Sequence, residues 1–370
     1  MPSASQTPVA DGPRQPIVFK FPGLELDTRL KVFDQEFHVH SAILRLYSTF
    51  FRTFLDSPDK TPAPASALFR YEYVSVVDDD GTWGLEVALE RDDQKAVPQD
   101  AGSSPTPAEG VPDLKTTTSQ SNNKNLKKGR KSQAQMERLA FCRLLYALYR
   151  ERYTVSSMRE FSDIVRLADF YCALPAVSRS VDSVLLHSPE LIRQIPASCF
   201  MALQIAHKLR HPLLFREALV HVVSGWVEDS TRLDISPELA HVVNTVYNRL
   251  QAEAHKVTYD ILHATAANET VRKAFENAVK TLESDATTGT ARFFLLVYNS
   301  YPPPTSLFWC SRSLKAFQTL EKLLSNNMSL ARLISAPVHI QAGGPGYERK
   351  FLCASIEDHE LPWDKEAVDW

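Results

Sequence analysis

The sequence predicts an α+β protein in which strands come early and helices fill the rest. Three observations lead there. Before about residue 90, apolar and polar residues alternate as on half-buried strands. After about residue 135 the apolar residues recur at helical spacing. Between the two lies a stretch with neither pattern. Proline is frequent (23) and glycine scarce (12), which favours helices with rigid connections over a glycine-turned sandwich.

Composition sets the bounds. A chain of 370 residues, 44% hydrophobic and 23% charged, has material for two or three domains with real cores. The net charge of −3 argues against a general polyanion binder. No run approaches the ~20 apolar residues that span a bilayer, so no membrane partner is expected. Met1 to Asp11 lacks the basic and apolar regions of a secretory signal. Cys142, Cys172, Cys199, Cys310 and Cys353 form no C-x-x-C pair, which reads as reduced thiols in a cytoplasmic or nuclear protein.

Taken in order, residues 1–14 are polar and proline-bearing, and are expected to be disordered. Ile17 to Phe21 reads as a short strand. Leu30 and Val32, then Phe37 and Val39, alternate around a turn at Asp34-Gln35. From Ser41 the period becomes helical through Ala42, Ile43, Leu46, Phe50, Phe54 and Leu55, with Ser48-Thr49-Phe50-Phe51 opening a second amphipathic turn. Asp56 to Lys60 ends it, and Pro62 and Pro64 prevent its resuming. A strand follows at Phe69–Val77, closed by Asp78-Asp79-Asp80-Gly81.

From about Arg91 to Gln135, aromatic and β-branched residues nearly vanish. Such a stretch cannot offset a backbone ordering cost of ~1–2 kcal/mol per residue, and a disordered insert 91–135 is expected. A buried helix over about Met136–Tyr149 comes next. Ser157-Met158-Arg159-Glu160 has the capping-box pattern and opens another helix. Beyond His187 the helical faces run through Leu203 and Ala206, Leu214 to Trp226, Val242 to Leu250, Val271 to Leu282, and 313–335. Phe293–Tyr298 is an apolar segment before the elbow Pro302-Pro303-Pro304, and Lys350–Ile356 reads as a strand in the tail.

The stretch Phe37-His38-Val39-His40-Ser41-Ala42-Ile43-Leu44, with Ser48-Thr49-Phe50-Phe51, resembles the front half of a BTB/POZ domain, F-x-x-H-[KS]-x-[VI]-L-x-x-x-S-x-[VF]-F. Val165 to Leu174 resembles the family's L-A-x-x-Y-x-[VL] segment, and Leu148-Tyr149 stands where it has I-Y-T-G. The resemblance covers about 125 ordered residues, split by the insert. It implies a small three-stranded sheet flanked by helices over 15–186, interrupted at 91–135. A BACK-like α-helical region would occupy 187–335 and a C-terminal tail 336–370. It also implies a non-enzymatic adaptor or scaffold that binds protein partners, including a second copy as a homodimer, through Ile43, Leu46, Tyr47, Phe50 and Phe51. Taken singly, each of these residues reads more readily as core.

Two further implications are only half met. Asp27 aligns with an aspartate in a charged pocket at the family's dimer groove, but Ser41 stands where a basic residue follows the histidine. Otherwise Asp27 is a surface turn residue. A cullin scaffold is engaged by family members through an apolar-x-Glu motif. Here Phe141-Cys142-Arg143 takes that place, with Arg143 reversing the charge, and Glu151 would serve only in a shifted register. The basic tract Lys124, Lys127, Lys128, Arg130 and Lys131 reads as a nuclear-import signal, a phosphate-binding patch or a solvated stretch. No zinc finger or stacking platform accompanies it, so sequence-specific nucleic-acid binding is not expected.

Patterns for nucleophile elbows, P-loops, dinucleotide folds and zincins are missing, and Gly343-Gly344-Pro345-Gly346 reads as a turn. His38 and His40 form an H-x-H with no further ligands spaced nearby. No cofactor is expected. An enzyme using the helical half would need a pocket of converging ionisable side chains.

Overall fold

A computed structural model describes residues 14–57, 67–88, 120–229, 235–284, 289–301, 311–334, 340–364 and 366–367, with the backbone only at 120–131 and 227–229. The expectations for residues 1–13, for 91–119, and for Pro62, Pro64, Pro302-Pro303-Pro304 and Cys310 lie outside the described residues. The chain divides into two compact units, Met1–Glu151 with Leu167–Ala173, and Arg152–Arg166 with Leu174–Trp370. Together they make an α+β protein.

The first unit carries the sheet. Its strands are β1 (Ile17–Val18), β2 (Thr28–Val32), β3 (Gln35–Val39), β4 (Tyr71–Val77) and β5 (Trp83–Val87), in the order β1-β3-β2-β4-β5. β2 and β3 form an antiparallel hairpin, with Leu30 opposite Phe37. β4 runs parallel to β2, with Tyr73 beside Leu30. The sheet is mixed and has five strands, where a three-stranded one was expected. β1 adds a short parallel edge to β3. β5 was not expected: Asp78 to Gly81 reverses the chain, and β5 returns antiparallel to β4. There Gly81 takes φ +85°, and the Asp80 carboxylate accepts from the Thr82 N–H at 2.9 Å. The β2–β3 turn falls at Phe33-Asp34, one residue earlier than expected, with Phe33 at φ 53°. Leu30, Val32, Phe37 and Val39 are all buried, so strict alternation places one face of each strand in the core.

Two short helices follow, α1 (Ser41–Tyr47) and α2 (Thr49–Leu55). Ser48 separates them in an extended conformation, φ −139° and ψ 118°, and caps α2 by accepting the Phe51 N–H at 3.0 Å. α3 spans Gln120–Leu148 and therefore begins well before the expected Met136. The reading of 120–135 as disordered weighed apolar content alone. The stretch holds Gln, Lys and Arg, which are good helix formers, beside Asn, Ser and Gly129, which are not, and no proline interrupts it. The last turn of α4 (Met158–Phe170) also belongs to this unit. A ring cluster fills the core: Phe51 stacks on Tyr171 at 5.3 Å, Phe141 meets Tyr171 at 5.6 Å and Phe37 at 5.7 Å, and Trp83 meets Phe141 at 5.8 Å.

The second unit is helical among its described residues. It contains the start of α4, then α5 (Leu174–Ser178), α6 (Val181–His187), α7 (Pro189–Gln194), α8 (Cys199–Lys208), α9 (Pro212–Asp229), α10 (Pro237–Ala267), α11 (Glu269–Ser284), α12 (Thr290–Ser300) and α13 (Ser311–Leu323). α8 packs on α9, α9 on α10, and α10 on α11 and α13. Leu239, Val243, Val246, Leu250, Ala254, Val257, Ile261 and Ala264 make one buried stripe down α10 at three- and four-residue steps.

Two expectations change in this unit. The helix read over 313–335 ends at Leu323, because Asn326 turns the chain by accepting the Met328 N–H at 2.9 Å. The expected strand Lys350–Ile356 is an extended stretch without a strand partner. The Asn327 N–H donates to the Leu352 carbonyl at 3.0 Å, and side chains hold the rest. Asn327 Nδ2 donates to the Cys353 carbonyl at 2.8 Å and Arg249 Nη2 to the Ser355 carbonyl at 2.5 Å. A buried carboxylate nearby, Glu217, accepts the backbone N–H groups of Ser329, Leu330 and Ala331 at 2.6–2.9 Å. It closes the start of a 3-10 turn at Leu330–Arg332.

Candidate protein-docking surface

The motif residues on either side of the 91–135 interval meet in the first unit. Tyr149, near the end of α3, accepts the backbone N–H of His40 at 2.8 Å, and its hydroxyl lies 2.7 Å from His40 Nδ1. One hydroxyl can accept from the N–H and donate to the ring, which fixes the neutral tautomer with Nδ1 as acceptor. Burial lowers the His40 pKa and raises that of Tyr149, so both stay neutral at physiological pH. The second junction is Ser48. Its hydroxyl donates to the Tyr171 carbonyl at 2.6 Å while capping α2, and Thr49 N–H reaches the Cys172 carbonyl at 3.4 Å.

Around these junctions the site residues divide by exposure. Ile43, Phe51 and Phe141 are buried, Phe141 completely. They build the core that presents a surface and offer none themselves, and Phe141 is therefore not displayed for a cullin scaffold. Leu46 is 60% exposed on α1 and Phe170 53% exposed at the end of α4. Phe50 is half-buried, with its ring 5.9 Å from Phe170 and stacked on Phe54 at 4.9 Å. Half-buried Tyr47 lies under the Arg150 guanidinium, 5.3 Å from the ring centre. Arg143 is half-buried on α3. Asp27 acts on α1, where its carboxylate accepts the Ser41 N–H at 2.7 Å and the Ser41 hydroxyl at 2.5 Å. Ser41 is thus the aspartate's partner.

The remaining sequence candidates fall elsewhere. Lys124, Lys127, Lys128, Arg130 and Lys131 belong to the first turns of α3, where only the backbone is described. His38 packs on Phe69 at 4.7 Å and His40 on Tyr149, so the H-x-H does not converge. Among the described residues no group of three or more His, Cys, Asp or Glu is placed to hold a metal, and no helix is long and apolar enough to cross a membrane.

The helical unit holds features that the sequence reading missed. A cleft of about 870 Å³ is lined by Val165, Ile205 and Leu239 at its floor, and by Arg166, His207, Lys208, Arg210 and Glu238 around it. Pro362 and Trp363 of the tail form a wall. His207 Nε2 stands 3.9 Å from the Glu238 carboxylate, too far for a hydrogen bond. Burial lowers the His207 pKa. This is a binding geometry more than an acid–base pair. Its sequence signal was the run His207-Lys208-Leu209-Arg210-His211, together with the acidic, tryptophan-bearing tail. Comparison of the chain with protein-family models, with curated proteins and with solved structures gave no match.

Proposed function

We propose that this chain is a non-enzymatic protein-docking module of the BTB/POZ type with a helical extension, acting as an adaptor or scaffold and associating with a second copy of itself. The observation that carries this reading is the pair of buried junctions, His40–Tyr149 and Ser48–Tyr171, which bring together the residues on which the resemblance was drawn. The chain order also fits: a hairpin, two short helices, a strand parallel to the first hairpin strand, then helices. Docking in this reading uses Leu46, Tyr47, Phe50 and Phe170. Burial of apolar surface at ~25 cal/mol per Å² would drive association against rigid-body and ordering costs. Cullin binding is not part of the proposal, because the motif position holds buried Phe141 and basic Arg143.

The test is light scattering on the size-fractionated intact protein and its Leu46→Glu variant. Leu46 is exposed, so the substitution leaves the core alone. A wild-type dimer that becomes a folded monomer in the variant is the expected result. A wild-type monomer would remove self-association from the reading. A dimer indifferent to the substitution would move its interface off α1.

A further inference from the structure

We infer that the outer edge of β5 pairs with the β5 of a second copy, antiparallel and about a two-fold axis at Leu85, so that two five-stranded sheets join into one. The bonds on the inner side of β5 fix what its outer side offers. β5 faces β4 in the register Tyr73–Val87, Ser75–Leu85 and Val77–Trp83. At the two ends of this ladder the Ala88 N–H donates to the Glu72 carbonyl at 3.0 Å, and the Asp78 N–H to the Thr82 carbonyl at 2.8 Å. Hydrogen-bonded pairs alternate along an antiparallel ladder, so Gly84 and Glu86 share the inward direction of Thr82 and Ala88. Trp83, Leu85 and Val87 therefore turn their N–H and C=O groups away from β4. Among the described residues no strand takes them up, because β5 ends the sheet.

The edge lacks the devices that keep strands apart. Lysine, proline or a bulge commonly blunts an exposed edge. Trp83-Gly84-Leu85-Glu86-Val87 has neither lysine nor proline, and its register with β4 runs without a bulge. Apolar surface also reaches this side of the sheet. Val77, beside Trp83 on β4, is 55% exposed, and Val76 next to it is exposed as well.

The order of residues along β5 selects a second copy as the occupant. With the axis at Leu85, that residue meets the partner's Leu85, and Trp83 meets the partner's Val87, an aromatic against a β-branched side chain. On the opposite face the exposed Glu86 meets the partner's Gly84. Gly84 has open space where a Cβ would stand, so the glutamate is accommodated. Charge is complementary in the sense that no acid faces an acid, and the aspartates at 78–80 of the two copies fall at opposite ends of the pair. Moving the axis to Glu86 would set glutamate against glutamate. Moving it to Gly84 would leave Val87 without a β5 partner. Only the axis at Leu85 engages Trp83, Leu85 and Val87 together. A strand of five residues buries far less than the ~800 Å² per partner of a stable interface, so this contact is weak and engages at high concentration. It goes beyond the association through α1 and does not rest on it. Two different two-fold faces on one chain link dimers into larger assemblies.

The experiment is sedimentation equilibrium of the intact protein over a wide concentration series, in the Leu46→Glu background that blocks α1. The expected result is a monomer when dilute and a dimer when concentrated. Should α1 play no part, the chain without Leu46→Glu behaves the same way, so the two readings fail separately. Gly84→Glu sets an acid against the partner's Glu86, and Gly84→Lys, of similar length, sets a base there. Their dissociation constants are expected to differ by about tenfold, the lysine variant being tighter, since each dimer contains the pair twice. Adding Glu86→Lys to Gly84→Glu is expected to restore association. Val87→Pro removes an outward N–H and no bond to β4, and is expected to abolish the dimer while the circular dichroism spectrum is unchanged. A Leu46→Glu protein that stays monomeric at every concentration overturns the inference. So does equal association of the two Gly84 variants, which would place the contact off the β5 edge, and so does a folded Val87→Pro variant that dimerises as well as its parent.

Discussion

At the scale of single residues, the most exposed weakness is a histidine with nothing to accept or donate at one nitrogen. His221 on α9 is 4% exposed, and among the described residues its Nδ1 has no hydrogen-bond partner. Burial, with the Lys350 charge adding to it, pushes its pKa down to about 4. The folded state thus resists protonating this ring, whereas the unfolded chain takes the proton near pH 6.5. Above that pH the burial is not penalised. As pH falls from 6.5 towards 4 the unfolded state binds more protons, and stability is lost by about 3 kcal/mol from this group. His40, His207 and His211 shift in the same direction and add to the loss. His221→Leu should therefore flatten the fall in stability between pH 6.5 and pH 4, measured by thermal unfolding across that range. An unchanged slope would mean that the ring reaches solvent or a partner. Asp27 teaches the complementary point. Its partner was not legible, because Ser41 answers it through a backbone N–H as well as a hydroxyl.

At the scale of elements, helix and strand periods were legible where one face is buried, and boundaries were not where a side chain decides them. β2 and β3 alternate cleanly and β4 does so at its start, and the α10 stripe was read over Val242 to Leu250 but not on to Ala264. β5 went unread although Trp83, Leu85 and Val87 alternate with Gly84 and Glu86, because the acidic turn before it resembles an ending. The first turns of α3 went unread because they have no apolar face and are rich in Asn, Ser and Gly. Ser48 is the clearest case of a boundary set by one side chain. It stops α1, caps α2 and donates to Tyr171; the opening of the second turn was legible, but the stop and the bond to Tyr171 were not. Ser48→Ala removes the cap and leaves the Tyr171 carbonyl and the Phe51 N–H with no hydroxyl. A loss of about 2–3 kcal/mol is expected, above the ~1 kcal/mol of an ordinary cap, because both groups are buried. Urea unfolding of the intact protein measures it. A loss within the range of a simple cap would show that water replaces the second bond.

At the scale of the whole molecule, sequence order and spatial order part company. The sheet-bearing unit takes its strands from before the 91–135 interval, and much of its core, Phe141, Leu144, Leu145, Tyr149 and Tyr171, from after it. The helical unit lies entirely after it. A chain cut within 91–119 therefore yields two fragments of unequal standing. The front fragment keeps β1 to β5, α1 and α2. It loses every ring that Phe37, Phe51 and Trp83 meet from α3 and α4, and it loses the hydroxyl that pairs with His40. A small sheet stripped of half its core cannot offset the cost of ordering its backbone, so this fragment should be unfolded alone. The rear fragment keeps the helical unit whole and should retain most of the helical circular dichroism. Co-expressed, the two should purify as a stoichiometric complex, because the junctions at His40 and Ser48 need no covalent link through the interval. A front fragment that folds alone, or a pair that does not associate, would show that the strands and α3 do not share a core, and the docking module proposed above would lose its basis.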